Sequence, residues 1–326
     1  MRPPAPPGAV RTSGLASADL SPAPDGVSAL SAASPSAIPS SDSPGGSPER
    51  FGVIGLGRMA QALLWPLVDA GLVPLASVRA AVGTAASAER LAAGHPGLVV
   101  SAEASEAWRA PVLLLAVKPQ LLDAVAATAP RDGSGGAAAG SAAGSTQAQP
   151  PLLISVLAGV TLARLQRLFP GHRVVRAVPN TPCLVRAGLT ALAWGEGIGP
   201  DTRAWVRQLF AQVGEVLELP EPQLDAFLAL TSSGPAFVAL VAEAMADGAV
   251  AAGLPRALAH HLAHRTLAGT AALLHEQELH PGQLKDMVTS PAGTTIAGIR
   301  QLESRGLRSA LLEAVLAAAE RSRELA

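Results

Sequence analysis

Two stretches of the chain carry residue types that could do chemistry. The first is residues 284–298, LKDMVTSPAGTTIAG. A helical turn over 281–288 is stopped by Ser290 and Pro291. Ala292 and Gly293 are too small to shield the backbone, and a new helix can start over 296–302. A helix start offers unpaired N–H groups and a partial positive charge, which suits a small carboxylate. Thr294 and Thr295 add hydroxyls at the same end. The plainer alternative is a helix–loop–helix joint with a threonine cap. The second stretch is Gly55-Leu56-Gly57-Arg58-Met59-Ala60, directly after the apolar run FGVI. Gly55 allows a tight turn, Gly57 lets a pyrophosphate approach the backbone, and Ala60 lets the following helix pack close to a sheet. Strand before and helix after make this a dinucleotide-binding turn rather than a chance glycine pair.

Other candidates lie at strand ends, where α/β sheets bind ligands. Ala116, Val117, Lys118 and Pro119 end the buried run APVLLLAV. Asn180 follows VVRAVP and can orient a nicotinamide or simply form an Asx-turn. The second strand ends at VGTAAS with no acid to accept from a ribose 2′-hydroxyl, and Thr84 and Ser87 could donate to a 2′-phosphate. Arg90 lies a turn further on. This favours NADPH over NADH, with NADH still possible. His260 and His264 are spaced i, i+4 but no third ligand stands nearby, so no metal is expected. Cys183 has no activating neighbour in sequence and reads as structural.

These groups need a scaffold, and the chain supplies one. It has 326 residues, 49% of them apolar, with a net charge of −1. That is enough for two domains and a sizeable core, with no basic surplus for nucleic acid. One cysteine rules out an internal disulfide framework and fits a reducing compartment, hence a cytoplasmic protein. Residues 1–49 are Pro, Ser, Ala and Gly with few large apolar side chains, a disordered tail by composition. Arg2 and Arg11 hint at a transit peptide; Asp19, Asp25, Asp42 and Glu49 speak against one. Residues 131–149 read as a flexible Gly/Ala/Ser insertion.

Between them, strands are expected near 77–82, 98–100, 110–117, 152–157, 174–178, 189–194 and 215–219, alternating with helices. Asp201 is expected to cap the helix ending at Val213. This is an α/β pattern: a Rossmann-type dinucleotide-binding domain over 50–220, with a parallel sheet covered on both faces. Residues 221–326 are all helical. Residues 236–254 are apolar on nearly every face; Glu243 and Asp247 argue against a bilayer span. Such a helix needs cover on all sides, which points to a partner subunit and a homodimer or higher homo-oligomer.

Taken in order, IGLGRMAQALL, LLAVKPQ, VVRAVPNTP, TSSGPAFV, GLPR and HPGQLKDMVTSPAGTTIAGIRQLE resemble the pyrroline-5-carboxylate reductase family. The motifs run from residue 51 to about 324, omitting only the tail and the insertion. The resemblance implies a Rossmann domain followed by a helical dimerisation domain that interlocks with its twin. It implies reduction of 1-pyrroline-5-carboxylate to L-proline by NAD(P)H, between one subunit's cofactor and the partner's helices. It makes Ser290 and the backbone of Ala292, Gly293, Thr294 and Thr295 the carboxylate cradle, with Thr295 bonding the ring nitrogen. Arg58 stands where the family usually has Asn, Ala104 roughly where an Asn often sits near the adenosine, and the usual second-strand Ser/Arg pair is not evident. Two other readings stay open here: a sister NADP reductase using Lys285 as proton donor, and a non-catalytic scaffold.

Overall fold

The computed structural model describes residues 48–130 and 149–325. The expectations for residues 1–47 and 131–148 therefore lie outside the described residues. The first half alternates β1 (Phe51–Ile54), α1 (Arg58–Asp69), β2 (Val78–Ala81), α2 (Ala85–Gly94), β3 (Val99–Ser101), α3 (Ser105–Trp108), β4 (Val112–Leu115) and α4 (Leu122–Ala126). It continues through β5 (Leu152–Ser155), α5 (Leu162–Leu168), β6 (Arg173–Pro179), β7 (Gly188–Trp194), α6 (Pro200–Ala211) and β8 (Gly214–Glu218). One sheet runs in the order β3-β2-β1-β4-β5-β6-β7-β8. The order reverses between β1 and β4, so the crevice outside their carboxyl ends is where a ligand is expected.

The strands are continuous apolar runs because both faces are covered. Leu114 and Val175 face one layer with Leu63, Leu67, Trp205 and Phe210. Leu113, Leu115 and Val174 face the other, with Trp108, Phe169 and Leu224. Two expectations need correction. The sheet is not wholly parallel: β7 runs antiparallel to β6. The link is a 3-10 turn, Thr181–Val185, closed by Arg186 in a left-handed conformation at φ 57°. It is too short for the helical crossover that a parallel neighbour requires. Asp201 does not cap α6 either. Gly199 is the N-cap and Pro200 the first helical residue, which leaves Asp201 in the first turn, where its charge suits the helix dipole.

The second half is α7 (Leu224–Thr231), α8 (Gly234–Ala251), α9 (Arg256–Glu276), α10 (Pro281–Met287), α11 (Thr294–Ser304) and α12 (Leu307–Glu324). Helices α8 and α9 approach through small residues, Ala246, Ala259 and Ala263. As expected of a helix that needs cover from a partner, α8 is poorly covered within one chain. Only Ala242 and Ala246 are buried, while Val238 is 54% and Leu240 66% exposed. By length and composition Glu221–Ala251 could cross a membrane. It carries Glu243 and Asp247 mid-helix, and Asp247 is paired with Arg256 at 2.7 Å.

One buried titratable group lies in the layer under α5. His172 sits edge-on to Trp108 and Phe169, and its Nδ1 has no hydrogen-bond partner. Burial pushes its pKa down to about 4 from the usual 6.5. The unfolded chain therefore takes up this proton at a higher pH than the folded one. The stability contribution is full above about pH 6.5 and is lost as pH falls toward 4, by up to roughly 3 kcal/mol. Denaturant titrations at pH 7, 5.5 and 4.5 should show a shallower pH slope for His172→Gln than for the wild type. Equal slopes would mean that the imidazole titrates normally.

Candidate active site

The glycine turn is built by close approach. Gly55 has φ 90°, and a Cβ there would sit 2.7 Å from the Ala116 carbonyl oxygen at the end of β4. Only glycine lets β1 and β4 finish side by side. Leu56 turns its side chain into the core, so its backbone alone faces the loop. Gly57 caps α1 with no side-chain bond, and a Cβ there would meet nothing within 4 Å. No acid lies in the first turn. The space before the first turn is thus open at Gly57, which fits a pyrophosphate at the helix start. Arg58 is exposed beside them, Met59 half-buried, and Ala60 packs against the sheet. Ala116 and Val117 are half-buried at the adjoining strand end. Lys118 is exposed and Pro119 opens a short 3-10 turn.

At the end of β2 the structure adds a residue that sequence reasoning set aside. Thr84 caps α2: its hydroxyl accepts from Ser87 N at 3.2 Å and donates to Ser87 Oγ at 3.0 Å. Arg90 folds back one turn and donates from Nη2 to Ser87 Oγ at 3.4 Å. A guanidinium therefore lies against the first turn of α2, which follows the strand end. The i, i+3 spacing on a helix was the available signal.

Asn180 is 5% exposed and its amide is occupied at both ends. Nδ2 donates to the Thr231 carbonyl at 2.9 Å, and Oδ1 accepts from Leu189 N at 2.8 Å. It ties β6 to α7 and β7 rather than forming an Asx-turn. Beside it lies a cavity of about 310 Å³, lined by Met59, Val156, Ala158, Asn180, Ser232 and Ser233 among others. The cavity joins the first turn of α1 to the α7–α8 corner at the carboxyl ends of β5 and β6.

The segment with the hydroxyls is elsewhere. His280 caps α10, its Nδ1 accepting from Gly282 N at 3.1 Å, with Gln283 completing a capping box. Ser290 to Gly293 form a turn closed by Gly293 N to Ser290 O at 3.1 Å. Ala292 adopts φ 55°, a position usually left to glycine. Gly293 is the N-cap of α11, and no side chain caps it. This rules out the joint with a threonine cap: Thr294 is the first helical residue and does not cap. Thr295 is second and half-buried, while Ser290, Ala292 and Thr294 are exposed. None of residues 290–295 lines the cavity at Asn180. Within one chain, the cofactor-side residues gather at the sheet edge and the hydroxyl-bearing turn does not join them. Lys285 is paired with Asp286 at 2.8 Å. Cys183 is buried, and burial pushes its thiol pKa up, away from reactivity. His260 and His264 lie 6.2 Å apart, ring to ring, on α9.

Comparison with known proteins draws both halves together. Residues 221–325 match the model for pyrroline-5-carboxylate reductase dimerisation. Residues 50–159 match that for NADP oxidoreductase, coenzyme F420-dependent. Pyrroline-5-carboxylate reductase from Synechocystis is 46% identical over 276 residues, spanning 85% of this chain and 98% of that protein. The chain belongs to the pyrroline-5-carboxylate reductase family. The Glycine max reductase is 39% identical across 84% of this chain and 95% of its own length. The solved Plasmodium falciparum pyrroline carboxylate reductase, with NADP bound, superposes with TM-score 0.74 at 25% identity. That match covers 86% of this chain and 99% of that one. Family membership accounts for the paired Rossmann and helical halves and for the dimerisation helices left bare in a single reductase chain.

The two glycines of the loop should separate in mutagenesis. Gly55→Ala combines a left-handed φ with a backbone clash, and should cost about 2 kcal/mol or more of stability. Gly57→Ala should cost less than about 1 kcal/mol, because the site is open and the backbone extended. Urea titrations of the two variants check this; equal losses would contradict the account of the turn.

Proposed function

We infer that this chain reduces 1-pyrroline-5-carboxylate to L-proline, the last step of proline synthesis, with NADPH as reductant. The observation that carries it is the small cavity between the first turn of α1 and the α7–α8 corner, in a chain that carries the family's motifs in order from residue 51 to about 324. We read residues 50–220 as the dinucleotide-binding domain and 221–326 as the dimerisation and substrate domain. The protein acts as a homodimer or higher homo-oligomer in the cytoplasm, with no nucleic-acid or membrane partner. The exposed apolar side of α8 supports this, since a second copy would cover Val238 and Leu240.

In this reading Gly55 to Ala60 hold the pyrophosphate against the start of α1, and Ala116 to Pro119 form the opposite wall. Thr84, Ser87 and Arg90 face the adenosine ribose, and Arg90 supplies the charge for a 2′-phosphate. Asn180 holds the cavity wall in shape. When bound, NADPH supplies the hydride that adds to the C=N bond. Ser290 and the backbone from Ala292 to Thr295 take the substrate carboxylate at the open end of α11. The Thr295 hydroxyl holds the ring nitrogen in line and shares the proton that the nitrogen needs as it becomes an amine. The partner subunit's copy of this turn is the one that would meet the cavity, because the turn and the cavity of one chain are separate.

Two outcomes test this reading. Thr295→Ala should lower kcat/KM by about tenfold to a hundredfold, the cost of one hydrogen bond to a buried group. Thr295→Ser should recover most of it, and Thr294→Ala should do less. A drop in melting temperature with unchanged kinetics would reduce Thr295 to a structural residue. For the cofactor, wild type should favour NADPH in kcat/KM, and Arg90→Ala should erode that preference by raising KM for NADPH alone. The same variant should weaken 2′,5′-ADP but not 5′-AMP in calorimetry. Loss of both ligands, or of neither, would remove Arg90 from the 2′-phosphate site.

A further inference from the structure

Arg176 is a full charge in an apolar layer. It lies on β6, 1% exposed, on the face that packs against Leu224 and its neighbours in α7. Its Nη1 donates to Glu221 Oε1 at 2.9 Å, and Nη2 lies 3.7 Å from Asp225 Oδ1. Nε and Nη2 make no hydrogen bond. Both carboxylates have second partners. Glu221 Oε1 accepts from Leu162 N at 2.6 Å at the start of α5. Asp225 Oδ1 accepts from Ser322 Oγ of α12 at 2.7 Å. One guanidinium thus joins the sheet, α5, the entry to α7 and the last helix.

Stability alone is a poor reason for such a group, since an apolar residue of similar size in a buried ion-pair site is often as stable. Register is a better one. Asn180 directly follows β6 in extended backbone, four residues on from Arg176, so the two share a face and lie about 13 Å apart. Asn180 bonds Thr231 at the far end of α7. The eight residues of α7 span about 12 Å, with Asp225 in its first turn and Glu221 in the 3-10 turn just before it. The two clamps therefore match the length of α7 and grip it at both ends. With both in place α7 cannot slide along β6. The α7–α8 corner, Ser232 and Ser233, then has one position over the cavity.

We propose that Arg176 is a positioning residue for imine reduction: it fixes α7 in register on β6 and so sets the substrate-side wall of the cavity and the exit direction of α8. This rests on the cavity beside Asn180 being the reaction site. The glycine turn is not part of the network, so cofactor affinity is independent of it.

The test uses the full-length enzyme and four variants: Arg176→Met, Arg176→Lys, Glu221→Gln and Asp225→Asn. Each is first confirmed folded by circular dichroism and sized by sedimentation. Arg176→Met should raise KM for 1-pyrroline-5-carboxylate and lower kcat, together about a hundredfold, as expected for a wall displaced by about 1 Å. Its Kd for NADPH, by fluorescence titration, should stay within about twofold of wild type. Arg176→Lys should recover part of the loss, and the two carboxylate variants should fall between. If Arg176→Met does not fold, the other three carry the same comparison. A lower melting temperature with unchanged KM and kcat overturns the proposal, and so does an equal loss of NADPH affinity. A wild-type enzyme inactive on this substrate would instead refute the functional reading, whatever the variants do.

Discussion

One subunit cannot cover its own longest apolar helix. Of α8, only two alanines are buried, while Val238, Leu240 and Met245 stay exposed. Transfer of such side chains from water is worth about 1.5–3 kcal/mol each, so leaving a row of them wet is costly. The remaining helices do not fold over them: α9 touches α8 through alanines, and α12 packs on α7. The same helices carry the turn at residues 290–293, which stands apart from the cavity at the sheet edge. Surface demand and site geometry point the same way. In the proposed reading a second copy covers the helical half and completes the site.

Within the chain, polar groups buried in apolar layers fix what packing alone leaves adjustable. Asn180, Arg176, Glu221 and Asp225 all lie along the seam between β6 and α7. Apolar contacts tolerate sliding, because one methyl neighbour resembles another. Hydrogen bonds and ion pairs do not, since a slipped partner leaves a buried group unpaired. His172 is the contrasting case. It is buried without a partner at Nδ1 and is kept neutral by its surroundings. It adds pH sensitivity to the core without fixing any register.

Most of the fold was legible because its signals are local. A strand, two spaced glycines and a helix are read from ten residues, and the structure places each as expected. What was not legible depends on contacts across the sequence. The run 189–194 showed itself as a strand, but its direction is set by how Thr181 to Arg186 turn. Thr294 has a capping residue's chemistry, yet Gly293 takes the cap position because its extended backbone follows the Ser290 turn. Arg90 lies a turn beyond the strand end in sequence, and helix geometry brings it back to Ser87 in the first turn of α2. Arg176 sat inside a motif that reads as a plain buried strand; its acids lie 45 and 49 residues away in sequence. The candidate site divides the same way: the cofactor turn is local, and residues 290–295 lie apart from it in one chain, to be joined by assembly in the proposed reading.

Subunit complementation tests that assembly most directly. Gly57→Glu places bulk and negative charge in the open space before α1, and Thr295→Ala removes the hydroxyl from the other half-site. Each homodimer should be nearly inactive. If the partner provides Thr295, a hybrid dimer holds one site with neither lesion. A 1:1 mixture refolded together should then recover about a quarter of wild-type activity, from half the dimers with one good site each. Activity no higher than that of the two variants measured separately would contradict the account and place turn and cofactor in the same chain.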